Sequence, residues 1–374
     1  MAEKIRVLVV DDSAAIRRIV SDAVSHDPDL ELAGTAPNGK VAPEMLGRQK
    51  IDCITLDVEM PELDGLQTLK AIRQTQRTLP VIMFSALTER GARSTIEALT
   101  LGASDYLCKT GTDGAMNAVE RVRTELIPRV KALVAKTRSW QSPAPAAAGA
   151  GPAHAPAAPR VTLAAPRTGR IELVAIGVST GGPAALGELL PRLPANFPVP
   201  VLLVQHMPAL FTRMLAERLA SQSKVRVEEG RSGQAPEPGL VLIAPGDFHM
   251  VMGRELATPR LSLNQNPSEN GCRPAVDPLF KSVAEIYGDR VLGVILTGMG
   301  ADGLRGAEAI RSKGGRIWAQ DEATSVVWGM AGAVTRAGLA EQVLPLTKIA
   351  DALVEATRGS GKGGEVPRGL RAPG

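Results

Sequence analysis

Short apolar runs alternate with helix-like segments along both halves of this 374-residue chain. Residues 1–125 contain five runs with strand-like composition, IRVLVV, LELAGTA, IDCITLD, PVIMFSA and ASDYLCK, each followed by a segment with helical patterning. Such βα repetition predicts a parallel sheet covered by helices on both faces. The same rhythm returns after residue 170, in ELVAIGVS, PVLLVQHM, GLVLIAP, VLGVILTG and RIWAQ. We therefore expect two α/β domains.

Between the two halves lies a connector of a different composition. The stretch from Gln141 to Thr168 contains 11 alanines, 6 prolines and 2 glycines. It cannot bury enough apolar surface to offset the entropy lost on ordering, so we expect a semi-extended linker. The predicted organisation is a first domain over 1–125, a helix end and linker over 126–169, a second domain over 170–357, and a flexible tail over 358–374.

The distribution of charge excludes some classes of function. The net charge is +4, but residues 126–170 carry seven basic and no acidic residues, so the basic excess lies in the connector. Only ten aromatic residues are present, and nucleic-acid binding is therefore not expected. Three well-separated cysteines without a CxxC pair favour a reducing cytoplasm. The uncharged stretch Ser139–Pro159 contains five prolines, so we do not expect a membrane-embedded protein.

Carboxylates end two of the predicted strands in the first half. Asp11 and Asp12 follow the first strand, and Asp57 ends the third. In a doubly wound sheet these strand ends are adjacent, and three carboxylates there need a cation such as Mg²⁺. Ser85 and Lys109 end the fourth and fifth strands at the same edge. This set favours phosphoryl transfer to Asp57, although any single acid could instead be a helix N-cap.

The motifs VVDDS, LDVEMPELDG and FSA, together with Lys109, resemble the receiver domain of bacterial response regulators over about residues 4–125. This resemblance implies a flavodoxin-like domain with a five-stranded parallel sheet, in which a chemotaxis histidine kinase phosphorylates Asp57. It also implies a Mg²⁺ site and a switch, the first formed by Asp11, Asp12, Asp57 and the Glu59 carbonyl, the second by Ser85, Tyr106 and Lys109. Thr110 stands where the family usually has proline, so the usual cis Lys–Pro turn cannot form there.

The second half contains a literal GxSxG motif at Gly177–Gly181, between a predicted strand and a predicted helix. The motif places Ser179 on a sharp turn, where the free N–H groups of the helix can stabilise an oxyanion. A serine nucleophile needs a base. His206 is the favoured base because it ends the strand VLLVQ, whereas His249 follows a loop and is expected to be a polar loop residue.

The third member of a triad is less determined by the residues alone. Asp302 follows the strand VLGVILT and is favoured, with Asp247, Asp277 and Asp321 as competitors. The order Ser–His–Asp differs from that of the α/β-hydrolase fold. Gly298–Gly303 is also a literal GxGxxG followed at a suitable distance by Asp321, as in dinucleotide-binding proteins. Because Asp302 would then lie beside a pyrophosphate, this alternative is weaker than a serine hydrolase. A non-catalytic module is the third alternative, and all three remain open at this point.

Five motifs in order, IGVSTGGPAAL, VQHMP, APGDFHM, RPAVDPLF and LTGMGADG, resemble the catalytic domain of the chemotaxis protein-glutamate methylesterases, the CheB family. The resemblance covers about residues 170–357 and implies a Rossmann-like domain. It implies that Ser179 is the nucleophile, His206 the base and Asp302 the orienting acid. Thr180 and the backbone N–H of Met299 would bind the oxyanion.

The same resemblance implies a phosphorylation-activated hydrolase that acts on methyl-accepting chemoreceptors. It would cleave glutamate methyl esters with release of methanol, and would also deamidate glutamines. Mg²⁺ would serve phosphorylation, and hydrolysis would need no cofactor. Cys272 is expected to be an inert loop thiol. From the presence of both sites in one chain, we further expect the unphosphorylated receiver to block the cleft at Ser179.

Overall fold

The computed structural model describes residues 3–109, 119–141, 169–255 and 258–358. Most of the expected linker and tail, and Thr110, lie outside these ranges. The first domain is a sheet of five strands in the order β2-β1-β3-β4-β5, with every neighbouring pair parallel. The strands are β1 (Ile5–Val10), β2 (Leu30–Ala36), β3 (Cys53–Asp57), β4 (Val81–Ser85) and β5 (Asp105–Cys108). This confirms the flavodoxin-like prediction.

Helices cover both faces of this sheet. They are α1 (Ala14–His26), α2 (Val41–Arg48), α3 (Gly65–Thr75), α4 (Glu89–Thr100) and α5 (Ile127–Gln141), the last continuing from a π-helical turn over Val122–Leu126. Alternate residues of β1 serve opposite cores: Val7 packs with α1 and α5, and Leu8 packs with α3 and α4. Burial on both faces explains why the strand is a continuous apolar run rather than an alternating one.

The second domain is built on a seven-stranded sheet in the order β14-β13-β12-β6-β7-β9-β8, again parallel throughout. Its strands are β6 (Leu173–Val178), β7 (Val201–Gln205), β8 (Arg226–Glu229), β9 (Leu240–Ile243), β12 (Val291–Ile295), β13 (Arg316–Gln320) and β14 (Gln342–Leu344). A separate antiparallel hairpin is formed by β10 (His249–Glu255) and β11 (Thr258–Asn264). The helices are α6 (Gly182–Leu189), α7 (Ala209–Gln222), α8 (Val276–Tyr287), α9 (Leu304–Ser312), α10 (Met330–Arg336) and α11 (Leu346–Ala356).

The strand order places the site. Strand β6 lies between β12 and β7, so the loops that follow these three strands meet at one edge of the sheet. Ser179 follows β6, His206 follows β7, and Asp302 lies in the loop after β12. Ligands of open α/β sheets bind in such a crevice beyond the carboxyl ends of the strands.

The two domains are in direct contact. Helix α4 of the first domain packs against α6 and α7 of the second. At the exposed margin of this interface, Arg213 pairs with Glu89 at 2.5 Å, and Arg218 Nε donates to Thr100 Oγ1 at 3.1 Å. Deeper in the interface, the rings of Tyr106 and Phe211 stack with centroids 4.9 Å apart. In the described ranges, no helix is both long and apolar enough to span a membrane.

Candidate active site

The turn after β6 depends on glycine. Gly181 has φ of +79°, a left-handed conformation that side chains disfavour, and a Cβ added there would lie 2.6 Å from the side chain of Val326. A Cβ on Gly182 would lie 1.9 Å from Gln205 Oε1. The Gly182 N–H donates to the Ser179 carbonyl at 2.7 Å, which closes the turn. Ser179 is thereby held at the N-terminus of α6, where free N–H groups favour negative charge.

His206 and Asp302 form a buried pair. His206 Nε2 lies 2.7 Å from Asp302 Oδ2. Burial alone would lower the pKa of His206, but the Asp302 carboxylate and the Cys272 thiol raise it to about 9. Burial would raise the pKa of Asp302, yet the hydrogen bond and charge of His206 hold it below its ordinary value. Both directions favour an imidazolium–carboxylate pair in the resting cleft.

The Asp302 carboxylate lies at the N-terminus of α8. Its Oδ2 accepts the Val276 N–H at 2.6 Å, and its Oδ1 accepts the Asp277 N–H at 3.2 Å and the Gly303 N–H at 3.0 Å. Asn270 Nδ2 donates to the same Oδ1 at 2.8 Å. Charge-assisted bonds of this kind fix the orientation of a carboxylate and keep it ionised.

Ser179 and His206 line a cleft of about 550 Å³ to which both domains contribute. The second domain contributes Ser179, Thr180, His206, Cys272 and Met299, while the first contributes Asp105, Tyr106, Arg121, Glu125 and Arg129. The most direct link is a buried hydrogen bond from Thr180 Oγ1 to Asp105 Oδ2 at 2.8 Å. Arg129 Nε lies 3.2 Å from the same Asp105 oxygen. A carboxylate of the first domain therefore accepts the hydrogen bond of the Thr180 hydroxyl, next to Ser179.

The acidic residues of the first domain also converge. Asp11, Asp12 and Asp57 each offer a carboxylate oxygen, all within 4.8 Å of one another. Lys109 Nζ lies 2.6 Å from Asp57 Oδ2 and 2.9 Å from Asp11 Oδ2. Burial raises the pKa of Asp57 to about 6, with the charge of Asp11 adding to this and Lys109 opposing it. Three carboxylates against one ammonium form an oxygen-rich, net negative set, which fits Mg²⁺.

Comparison with known proteins agrees with this geometry. The response regulator receiver domain profile matches residues 7–120, and the CheB methylesterase profile matches residues 174–353. The protein-glutamate methylesterase/protein-glutamine glutaminase of Trichodesmium erythraeum is 48% identical to this chain, covering 94% of it and 98% of that protein. This chain belongs to the CheB methylesterase family.

A second relative of the same name, from Nocardioides sp., is 50% identical, covering 92% of this chain and 93% of that protein. Among solved structures, the catalytic domain of Thermotoga maritima CheB methylesterase is 45% identical and covers 50% of this chain and 98% of that one, with a TM-score of 0.49. The two profile matches and the two relatives confirm, at the level of the family, the resemblances inferred from the motifs of both halves.

The other acids considered for the triad lie elsewhere. Asp247 pairs with Arg273 at 2.7 Å on the rim of the cleft. Asp277 accepts the Gly306 N–H at 2.7 Å at the start of α9, and Asp321 accepts the Thr324 N–H at 2.9 Å. Within the described residues, none of these three hydrogen-bonds to His206. The GxGxxG segment serves here as the loop that carries Asp302.

Two sequence interpretations need correction or extension. His249 is not a polar loop residue: it begins β10, is 1% exposed, and its ring accepts the Ala275 N–H at 3.2 Å. Its burial follows from the hairpin, which the sequence patterning did not reveal. Cys272 lies in the cleft beside His206, a location that spacing along the chain did not indicate.

The predicted switch residues of the receiver lie along β4 and β5. Ser85 is buried, and its Oγ donates to the Ala86 carbonyl at 3.2 Å. The Lys109 N–H donates to the Ser85 carbonyl at 2.6 Å. Tyr106 is only 9% exposed because its ring stacks on Phe211 of the other domain. The sequence did not indicate a role for Asp105. Its partner, Thr180, belongs to the other domain, and no local sequence pattern predicts how the two domains dock.

Proposed function

We propose that this chain hydrolyses methyl esters of glutamate side chains on chemoreceptors and deamidates glutamines by the same acyl chemistry. The observation that carries the proposal is that His206, which is paired with Asp302, lines one cleft with Ser179. Two relatives are named protein-glutamate methylesterase/protein-glutamine glutaminase, which supports the substrate class.

In this mechanism Ser179 Oγ attacks the ester carbonyl carbon. Because Asp302 binds Nε2 of His206, the serine proton passes to Nδ1. Thr180 and the Met299 N–H bind the oxyanion of the tetrahedral intermediate. Methanol leaves with the proton from His206, and water, activated by the same imidazole, then hydrolyses the acyl-enzyme to glutamate. With a glutamine substrate, ammonia is the leaving group.

The decisive experiment replaces the nucleophile. Full-length protein, activated with a small phosphodonor, is incubated with membranes that carry radiolabelled methylated chemoreceptors, and volatile methanol is counted. Ser179→Ala should lose at least about 10⁴-fold in rate, because the attacking atom is gone. Asp57 phosphorylation should be unchanged, and Ser262→Ala, on the exposed hairpin, is the matched control. Methanol release near that of the control would contradict the assignment of Ser179.

We propose that the receiver accepts a phosphoryl group on Asp57 from a chemotaxis histidine kinase. Asp11, Asp12 and Asp57, with the Glu59 carbonyl, would hold Mg²⁺, which supplies positive charge against the transferring phosphoryl oxygens. Lys109 already contacts Asp57 and would contribute a second positive charge. The clustering of the three carboxylates supports this proposal.

We also propose that the unphosphorylated receiver inhibits the hydrolase. Asp105 accepts the hydrogen bond of the Thr180 hydroxyl, which is then not free to bind an oxyanion. The negative charge of Asp105 beside the oxyanion position also opposes a developing oxyanion. Tyr106 follows Asp105 in β5 and stacks on Phe211, so movement of this ring on phosphorylation would pull Asp105 away from Thr180. The inhibition is relieved only to the extent that the phosphoryl group favours the undocked arrangement.

A further inference from the structure

One amide links two buried carboxylates behind the cleft. Asn270 Nδ2 lies 2.8 Å from Asp302 Oδ1 and 3.1 Å from Asp277 Oδ2. An amide nitrogen carries two hydrogens, and each carboxylate accepts one. Among the described residues, His206 and Asn270 supply the only side-chain hydrogen bonds to Asp302; its other donors are backbone N–H groups.

The second of these carboxylates has no role in the proposed mechanism. Asp277 is 1% exposed, and its other oxygen accepts the Gly306 N–H at 2.7 Å. Burial raises the pKa of Asp277, and the charge of Asp302 adds to this. Two carboxylates this close repel each other, and the shared Asn270 amide is the group between them that offsets the repulsion.

The local backbone does not account for this side chain. Glu269 and Cys272 exchange both backbone hydrogen bonds, at 3.1 and 2.9 Å, across a two-residue turn. Asn270 and Gly271 occupy its centre with φ of 54° and 74°. Asn-Gly suits such a turn, but glycine or aspartate at the first position suits it as well. The turn therefore requires a residue tolerant of positive φ, whereas the two carboxylates require a donor.

We propose that Asn270 is a positioning residue of the hydrolase, which orients Asp302 toward His206 and keeps Asp277 from disturbing that pair. The inference rests on the proposed serine-hydrolase function. Asn270 does not act on the substrate; it acts through Asp302. Its turn also brings Cys272 into the cleft beside His206.

Several charged and titratable groups face the His206–Asp302 pair and affect its pH dependence. On the second domain these are Asp302, Asp277, Cys272 and Lys281, the last paired with Glu269 at 2.8 Å. On the receiver they are Asp105, Arg121, Glu125 and Arg129, which line the same cleft. All of these are unchanged in Asn270→Gly, which removes the amide without adding a charge. A shift in the pH profile of that variant therefore reports the loss of the two hydrogen bonds.

The test compares Asn270→Asp with Asn270→Gly in the full chain activated by a small phosphodonor. Both tolerate the turn, but aspartate replaces the donor with a third negative charge. Asn270→Asp should lower kcat about 100-fold and Asn270→Gly about tenfold, with KM nearly unchanged. The acid limb of the pH profile should move up by about one unit in Asn270→Asp, because added negative charge favours the imidazolium. The low-field proton resonance of the His206 ring should shift or broaden in both variants.

Asn264→Asp is the matched control, because it introduces the same charge at the end of β11 and keeps its acceptor oxygen for the Asn266 N–H. It should leave kcat and the pH profile unchanged. Equal losses in both Asn270 variants without a pH shift would show a turn role only and overturn the proposal, as would activity within twofold of wild type. A failure of the proposed serine-hydrolase function would be seen in a different experiment, as continued methanol release by Ser179→Ala.

Discussion

In the proposed mechanism, the His206–Asp302 pair makes the rate of methanol release pH-dependent. The pKa of His206 is raised to about 9, so the folded protein favours the imidazolium. The stability contributed by this raised pKa is fully present below about pH 6.5 and is lost as the pH rises toward 9. The proposed mechanism needs the neutral imidazole of His206 as its base, and the fraction in that form increases over the same range. Methanol release by the unphosphorylated full chain should therefore rise between about pH 6.5 and 9.

Asp302→Asn tests the source of this shift. Without the carboxylate, burial would dominate and lower the pKa of His206, so the acid limb of the pH profile should move to lower pH. The rate should fall about 10³- to 10⁴-fold, less than in Ser179→Ala, because the imidazole loses its orientation while the nucleophile remains. Rate-against-pH curves for both proteins check this. An acid limb that stays in place would show that Asp302 does not set the pKa of His206.

Site residues that directly follow predicted strands could be found from the sequence. Site residues whose contacts depend on loop conformation or on the docking of the two domains could not. Ser179 and His206 directly follow apolar strands, and parallel strand ends share an edge, so their proximity was predictable. Asp302 was the favoured acid for the same reason. Asn270 lies in an irregular loop, and its role depends on a left-handed backbone conformation that orients its amide. Asp105 depends on docking between domains, which local spacing does not record.

At the level of secondary-structure elements, the turn between β6 and α6 leaves no room for a side chain at Gly182. Gly182→Ala would place a Cβ 1.9 Å from Gln205 Oε1, so Gln205 must move. Gln205 Nε2 donates to the Ser179 carbonyl at 3.1 Å, and its displacement should shift the nucleophile. We expect about a 100-fold loss in kcat, typical of a misplacement near 1 Å. Steady-state methanol release measures it.

Gly187→Ala on the same helix is the control, because an added Cβ there meets nothing within 4 Å. It should leave the rate unchanged and stabilise the protein by roughly 0.5–1 kcal/mol, since alanine restricts the unfolded chain. Thermal unfolding of both variants separates misplacement from loss of fold. A Gly182→Ala protein as active as Gly187→Ala would contradict the crowding argument.

Long apolar strands and amphipathic helices were predictable, and short or polar elements were not. The five strands of the receiver and five of the central strands in the second sheet appear where the patterning placed them. The β10–β11 hairpin was not predicted because Gly253 and Pro259 interrupt its strands, and both residue types are unfavourable within a strand. Strands β8 and β14, of four and three residues, were too short to leave a periodic signal. Helix α5 extends to Gln141, beyond its apolar stripe.

At the scale of the whole molecule, the docked receiver could inhibit in two ways, through the hydrogen bond between Asp105 and Thr180 or by steric block of the cleft. A substitution at Asp105 distinguishes them. Asp105→Asn keeps the shape of the side chain but removes its charge beside Thr180. If Asp105 inhibits by accepting the Thr180 hydroxyl, basal activity of the unphosphorylated full chain should rise about tenfold, because a neutral amide oxygen accepts this bond more weakly than a carboxylate. Glu89→Gln, which breaks an exposed pair with Arg213 at the same interface, should change activity less than twofold. Equal effects of the two would favour a purely steric block.

Removal of the receiver tests whether it restrains or assembles the hydrolase. Two α/β domains joined in one chain have a high effective local concentration, so a modest change in docking free energy can open the cleft. A fragment of about residues 165–374 should release methanol faster than the unphosphorylated full chain. Asp57→Asn should stay at the low basal rate and fail to respond to kinase or small phosphodonors. If phosphorylation instead builds the site, the fragment would be slower than the unphosphorylated full chain, and the contact between Asp105 and Thr180 would be part of the active arrangement rather than a restraint on it.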